Sequence, residues 1–222
     1  MVTIEEAVDL ARAAYYPSDP LPTSWAQLSR IKLVKPLSDP LMLSFLPKEP
    51  SGSDFGFVAR RDTNNDVVIS FRGTNPRISA EVLEDLDFLA ARGYEAGFYR
   101  VYECCFTDTL PGILGLGTVP VTAVGHSLGG AMALIFGSKA TPASMCASVF
   151  TFGAPKTFTT PNPALSAITT RVENFGDPIP LVPPIGYCPI GEKYSIAASG
   201  LDRHSIDNYQ RRIRELKGAK DV

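Results

Sequence analysis

The sequence has little of what several protein classes need. It holds two histidines, four cysteines and one tryptophan in 222 residues. None of the cysteines, at 104, 105, 146 and 188, falls in the C-x-x-C spacing of a zinc or redox site, so they read as small buried side chains. Cys104 and Cys105 are neighbours on an expected helix and point in different directions, which argues against a bond between them. Positive charge is not in excess either. Against 21 Lys+Arg stand 23 Asp+Glu, a formal charge of −2 with no footprint for nucleic acid. The start, Met1-Val-Thr-Ile-Glu-Glu, has neither a basic leader nor an apolar run, so no secretory signal is expected here. A cytoplasmic protein, or a secreted one whose leader is not included, fits equally. No charged residue occurs between Thr109 and Ser138. The glycines, prolines and polar Gly-His-Ser stretch inside that run point to a buried strand, turn and helix rather than a transmembrane segment.

What is present is an alternation of strand and helix patterns, with 45% hydrophobic and 20% charged residues. Thr3 and Glu6 form a capping-box pattern ahead of Ile4, Ala7, Val8, Ala11, Ala14 and Tyr15, which recur at helical spacing. A Pro-rich connection follows. Phe55 to Arg60 and Val67 to Phe71 flank the turn-forming Asp-Thr-Asn-Asn-Asp and read as a hairpin. Helical patterns cover 75–90 and 95–110. Then come a strand (119–124), a helix (127–139), strands at 147–152 and 168–174, a hairpin around Tyr187 to Ala197, and a last helix at 204–216. Length and pattern suit a single domain over 1–222, of the α/β class, with a central mostly parallel sheet flanked by helices and an antiparallel edge.

Gly125-His-Ser-Leu-Gly129 carries the G-x-S-x-G spacing. A serine on a sharp strand-to-helix turn sits in a strained backbone conformation, and its neighbours must be small for the chain to pass. The β-branched run ending at Val124 and the Ala/Leu/Ile-rich segment after Ser127 supply that context. This is the nucleophile turn of an α/β-hydrolase fold, with Ser127 as the nucleophile.

The base follows by elimination. His126 adjoins Ser127 on a tight turn and its ring is directed away, which leaves His204. In the chain order of this fold the acid lies between the serine and the histidine, where only Glu173, Asp177, Glu192 and Asp202 occur. Asp177 directly follows a strand and is held by Gly176, Pro178 and Pro180 on a rigid turn, which favours it. Asp202 is the alternative, although its position suits a cap for the last helix.

Five stretches carry a resemblance to the fungal-type class 3 lipase family: Phe71-Arg-Gly-Thr74, Gly125-His-Ser-Leu-Gly-Gly130, Thr151-Phe-Gly-Ala-Pro155, Glu173-Asn-Phe-Gly-Asp-Pro-Ile-Pro180 and His204-Ser-Ile-Asp-Asn-Tyr209. The resemblance runs in the family's order from about Val67 to Tyr209 and implies the same three residues, Ser127, Asp177 and His204. It also implies an oxyanion hole from Thr74 and the backbone N–H of Leu128. The first N–H groups of a helix lack intrahelical acceptors, so Leu128 suits that part. Glu81-Val82 stand before Asp85-Leu86 where the family usually carries Asn-Trp, and Glu95-Ala96 stand where a His is common. Both departures bear on lid behaviour and substrate choice.

By the same resemblance, a helix at about 76–90, with Ile78, Val82, Leu86 and Leu89 as its apolar stripe, covers the site as a lid and swings open at a lipid surface. An ordinary surface helix is the plainer reading. Val82, Leu86, Ile179 and Val182 are the candidate substrate contacts, with Leu181 and Ile185 extending the apolar groove. The expected chemistry is cleavage of lipid carboxylic esters, as a triacylglycerol lipase or a phospholipase of the A type. A short-chain carboxylesterase or a catalytically silent lipase-like binding domain are the alternatives. The expected partners are an ester substrate and a lipid–water interface met transiently; the mechanism calls for no metal or organic cofactor.

Overall fold

The computed structural model describes residues 1–33, 52–73, 94–106, 119–141, 144–197 and 202–218. Seven strands form one sheet whose spatial order follows the chain order: β1 (Trp25–Lys32), β2 (Asp54–Arg61), β3 (Val67–Phe71), β4 (Val121–His126), β5 (Cys146–Phe152), β6 (Thr169–Asn174) and β7 (Glu192–Ile196). β1, β2 and β3 pair antiparallel, and every pair from β3 to β7 is parallel. The expected α/β sheet with an antiparallel edge is what forms.

Helices α1 (Ile4–Ala13), α2 (Tyr94–Phe106), α3 (Leu128–Ala140), α4 (Pro163–Ala167) and α5 (Ile206–Gly218), with a 3-10 turn at Ile179–Leu181, complete the described elements. Side chains alternate across the strands, so each face of the sheet has its own core. Val67, Ile69, Phe71, Val121 and Ala123 pack with α2 and α3 in one cluster. Val68, Val124, Phe150 and Phe152 pack with α1 and α5 in the other. α3 is apolar almost all round because it is buried on almost every side, as the uncharged run predicts. None of the described helices is long and apolar enough to cross a membrane.

α1 starts where its capping box predicts: Thr3 Oγ1 accepts the Glu6 N–H at 3.3 Å, and Glu6 returns a carboxylate oxygen to the Thr3 N–H at 3.0 Å. Two elements depart from the sequence reading. β1 lies in the expected Pro-rich connection; it is an edge strand with only Trp25 and Ile31 buried and two register shifts, so it lacks the alternation that marks a half-buried strand. The expected hairpin around Tyr187 to Ala197 does not form. Pro189 has no N–H to give a ladder, and Cys188 instead makes a single bridge to Phe158, while β7 joins β6 in parallel. The expected lid at 76–90 lies outside the described residues.

Candidate active site

Ser127 stands between the end of β4 and the first residue of α3 with φ 57° and ψ −128°, a left-handed conformation uncommon for serine. Its N–H is held by the Phe152 carbonyl at 2.9 Å. The turn closes only because its neighbours lack a Cβ. One on Gly125 would lie 2.0 Å from the Gly129 carbonyl oxygen, and one on Gly129 would lie 2.2 Å from that of Phe71. The motif spacing is thus a steric requirement, and the serine hydroxyl is left half-buried at the C-terminal rim of the sheet.

Three side chains distant in sequence meet there. Ser127 Oγ is 2.9 Å from His204 Nε2, and His204 Nδ1 is 2.9 Å from Asp177 Oδ2 and 3.1 Å from Oδ1. A carboxylate there can only accept, so the proton sits on Nδ1 and Nε2 is free to accept from the serine. The Asp177 side chain is fully buried. Beyond the imidazole it accepts from Tyr209 Oη at 2.6 Å and from the Ile179 N–H at 3.0 Å.

The rejected carboxylates are accounted for. Glu173 is buried and pairs with Arg171 and, at 2.7 Å, with Lys193. Glu192 lies in β7. Asp202, the alternative acid and expected helix cap, does neither job: it is exposed, and α5 begins only at Ile206, one residue after Ser205. His126 is buried, and both its ring nitrogens are engaged away from the serine hydroxyl, with Tyr15 Oη and the His204 carbonyl oxygen.

Gly153 explains the Thr-Phe-Gly-Ala-Pro stretch. At φ 57°, a Cβ there would lie 2.7 Å from Asp177 Oδ2, 2.9 Å from Tyr209 Oη and 3.1 Å from His204 Nδ1. Only glycine leaves room for the acid and its partners. Of the candidate oxyanion donors, Leu128 opens α3 directly after Ser127. Thr74 lies outside the described residues, but its neighbour Gly73 is close enough that a Cβ on it would stand 3.0 Å from Ser127 Cβ.

Among the candidate substrate contacts, Val82 and Leu86 also lie outside the described residues. Ile179 is buried in the core, and Val182 packs half-buried against it. In the segments flanking Asp177 in the chain, Leu181 and Ile185 are 63% and 84% exposed, and Phe175, which sequence reasoning missed, is 76% exposed. Arg72 Nε donates to the Asp54 carbonyl oxygen at 3.0 Å, which gives that side chain a structural part.

Tyr209 was legible only as part of the family stretch. Burial, and then the charge of Asp177, push its hydroxyl well above the usual tyrosine range, so it remains a proton donor to that carboxylate.

The pattern described for Lipase (class 3) matches residues 68–187, more than half of the chain. The chain belongs to the class 3 lipase family. A lipase of Rhizopus niveus is 33% identical over 117 residues, covering 46% of this chain and 29% of that protein, so the match spans less than a third of the relative's length. The crystal structure of a lipase from Rhizopus microsporus var. chinensis superposes with a TM-score of 0.59 at 17% identity, over 92% of this chain and 81% of that one. A nonglycosylated lipase of Yarrowia lipolytica gives 0.60 at 20% identity, over the same shares. These likenesses place the α/β-hydrolase fold of this lipase-family chain among fungal lipases.

Proposed function

We propose that this protein hydrolyses carboxylic esters of lipids through an acyl-enzyme on Ser127. The observation that carries the reading is the continuous line from Ser127 Oγ through His204 to the buried Asp177. In that reading Ser127 Oγ attacks the ester carbonyl while His204 Nε2 takes its proton, and Asp177 holds the ring and stabilises its positive form. His204 then gives the proton to the leaving alcohol. A water then attacks the acyl carbonyl as it gives a proton to His204, the bond from Ser127 Oγ to the acyl carbon breaks, and His204 returns that proton to Oγ as the acid leaves.

The Leu128 N–H and Thr74 are the proposed donors to the oxyanion. Losing one such donor costs about 3 kcal/mol, or roughly 10²-fold in turnover. The exposed apolar side chains of Phe175, Leu181 and Ile185, in the chain segment around Asp177, support a lipid over a small polar ester, because exposed apolar groups suit contact with an acyl chain or a lipid surface. Triacylglycerols and the acyl esters of phospholipids are therefore the proposed substrates.

A rate profile over emulsified triacylglycerol, phosphatidylcholine vesicles and a soluble short-chain p-nitrophenyl ester tests this. Faster turnover of either lipid than of the soluble ester supports the reading; turnover confined to the soluble ester replaces it with a short-chain carboxylesterase.

A further inference from the structure

A part-buried chain of three hydrogen bonds, which the proposed chemistry does not use, runs through the residue that precedes the nucleophile. The Gly73 N–H donates to Tyr15 Oη at 3.0 Å, and Tyr15 Oη is 2.6 Å from His126 Nδ1. His126 Nε2 is 2.6 Å from the backbone carbonyl oxygen of His204. The direction of every bond follows from chemistry. A carbonyl can only accept, so the proton of His126 is on Nε2, Nδ1 is bare, and the Tyr15 O–H must donate to it.

Both side chains are held in the required states. Burial, and then the neighbouring His204, push the His126 imidazole well below its usual range, and burial pushes the Tyr15 phenol up. The titratable groups facing His126 are Tyr15 from the turn after α1, His204, and Tyr209 from α5, with ring centroids 5.6, 4.8 and 5.8 Å away.

The two ends of the chain are the two halves of the site. Gly73 lies two residues past the end of β3 and directly precedes Thr74, the proposed oxyanion donor, and the His204 carbonyl belongs to the proposed base itself. We propose that Tyr15 and His126 are positioning residues, which fix the oxyanion-side strand end and the base-bearing segment at one distance from each other across Ser127. A general base and an oxyanion donor act only if their separation matches the transition state, and a displacement near 1 Å costs about 10²-fold. His126 is therefore more than a filler beside the nucleophile. This inference rests on the serine-hydrolase reading above.

The test is Tyr15→Phe in the full chain, which removes one oxygen and keeps the ring. On a soluble p-nitrophenyl ester the expected result is a kcat lower by roughly tenfold with KM within about twofold, because the ground-state complex does not need the alignment. Val8→Ala, a truncation in the buried face of α1, is the stability control: Tm falls, kcat stays. A Tyr15→Phe enzyme with unchanged kcat, or a Val8→Ala enzyme that loses as much, overturns the proposal.

A second readout needs no turnover. The chain has two histidines, so His204→Ala leaves one imidazole, that of His126, while keeping the backbone carbonyl at 204. Long-range 1H–15N spectra at neutral pH should show it uncharged and protonated on Nε2; a charged ring, or a proton on Nδ1, contradicts the chain. If the wild-type protein hydrolyses no ester, the function proposed above fails and the positioning role with it. If the wild type is active and Tyr15→Phe equals it, only the positioning role fails.

Discussion

Tyr209 Oη lies 2.6 Å from Asp177 Oδ2, the carboxylate oxygen that also faces His204. The same hydroxyl accepts the Asn174 N–H at 3.0 Å, so α5 is tied by one atom to both the end of β6 and the acid that follows it. A charged acceptor makes this bond stronger than a neutral one, about 1.5–3 kcal/mol. Tyr209→Phe is expected to lower kcat on a soluble ester by roughly tenfold and to lower Tm by several degrees. Steady-state kinetics beside a thermal melt check both; wild-type kcat would mean that His204 needs no second anchor on its acid.

The buried His126 gives a pH signature. Its imidazole is held below the usual range mainly by burial. The unfolded chain takes up a proton there below about pH 6.5 and the folded chain does not. The stabilisation is therefore fully present above about pH 6.5 and is lost as the pH falls, at about 1.4 kcal/mol per unit. Urea unfolding of the wild type at about pH 7 and about pH 5 should show this loss. His126→Asn should be less stable throughout yet lose less stability across that interval. Equal losses in the two proteins would mean that the ring is protonated in the fold.

The exposed Leu181 and Ile185 are expected to separate lipid from soluble substrates. Burying an aliphatic side chain of this size is worth about 2 kcal/mol, which is lost when it is made polar. Leu181→Ser with Ile185→Ser should lower turnover of emulsified triacylglycerol by roughly tenfold or more and leave a soluble short ester unchanged. Equal effects on both substrates would place these residues in the chemistry or the fold rather than at the lipid surface.

Much of this was legible in the sequence because the catalytic geometry is local where it is strained. Gly125, Ser127 and Gly129 announce a turn that a Cβ would block, and with His126 turned away, His204 is the remaining base. The β2–β3 hairpin forms from the residues expected of it, and the central strands are the apolar, doubly buried runs that the pattern marks. What escaped was non-local or shielded from periodicity. β1 is an edge strand that buries two side chains and so shows no face. Tyr15 fits the helical spacing of α1, yet it lies past the end of that helix at Ala13, on the turn that aims its hydroxyl at His126, 111 residues away. Tyr209 looks like one more apolar residue on the buried side of α5, and only the fold puts its oxygen against Asp177.

Covalent trapping tests the central claim most directly. Wild-type protein treated with a fluorophosphonate and digested should yield one modified peptide, carrying the adduct on Ser127. Ser127→Ala should remain unlabelled, and His204→Ala should label slower by at least about 10²-fold. Stable labelling of another residue, with ester turnover undiminished in Ser127→Ala, would contradict the account.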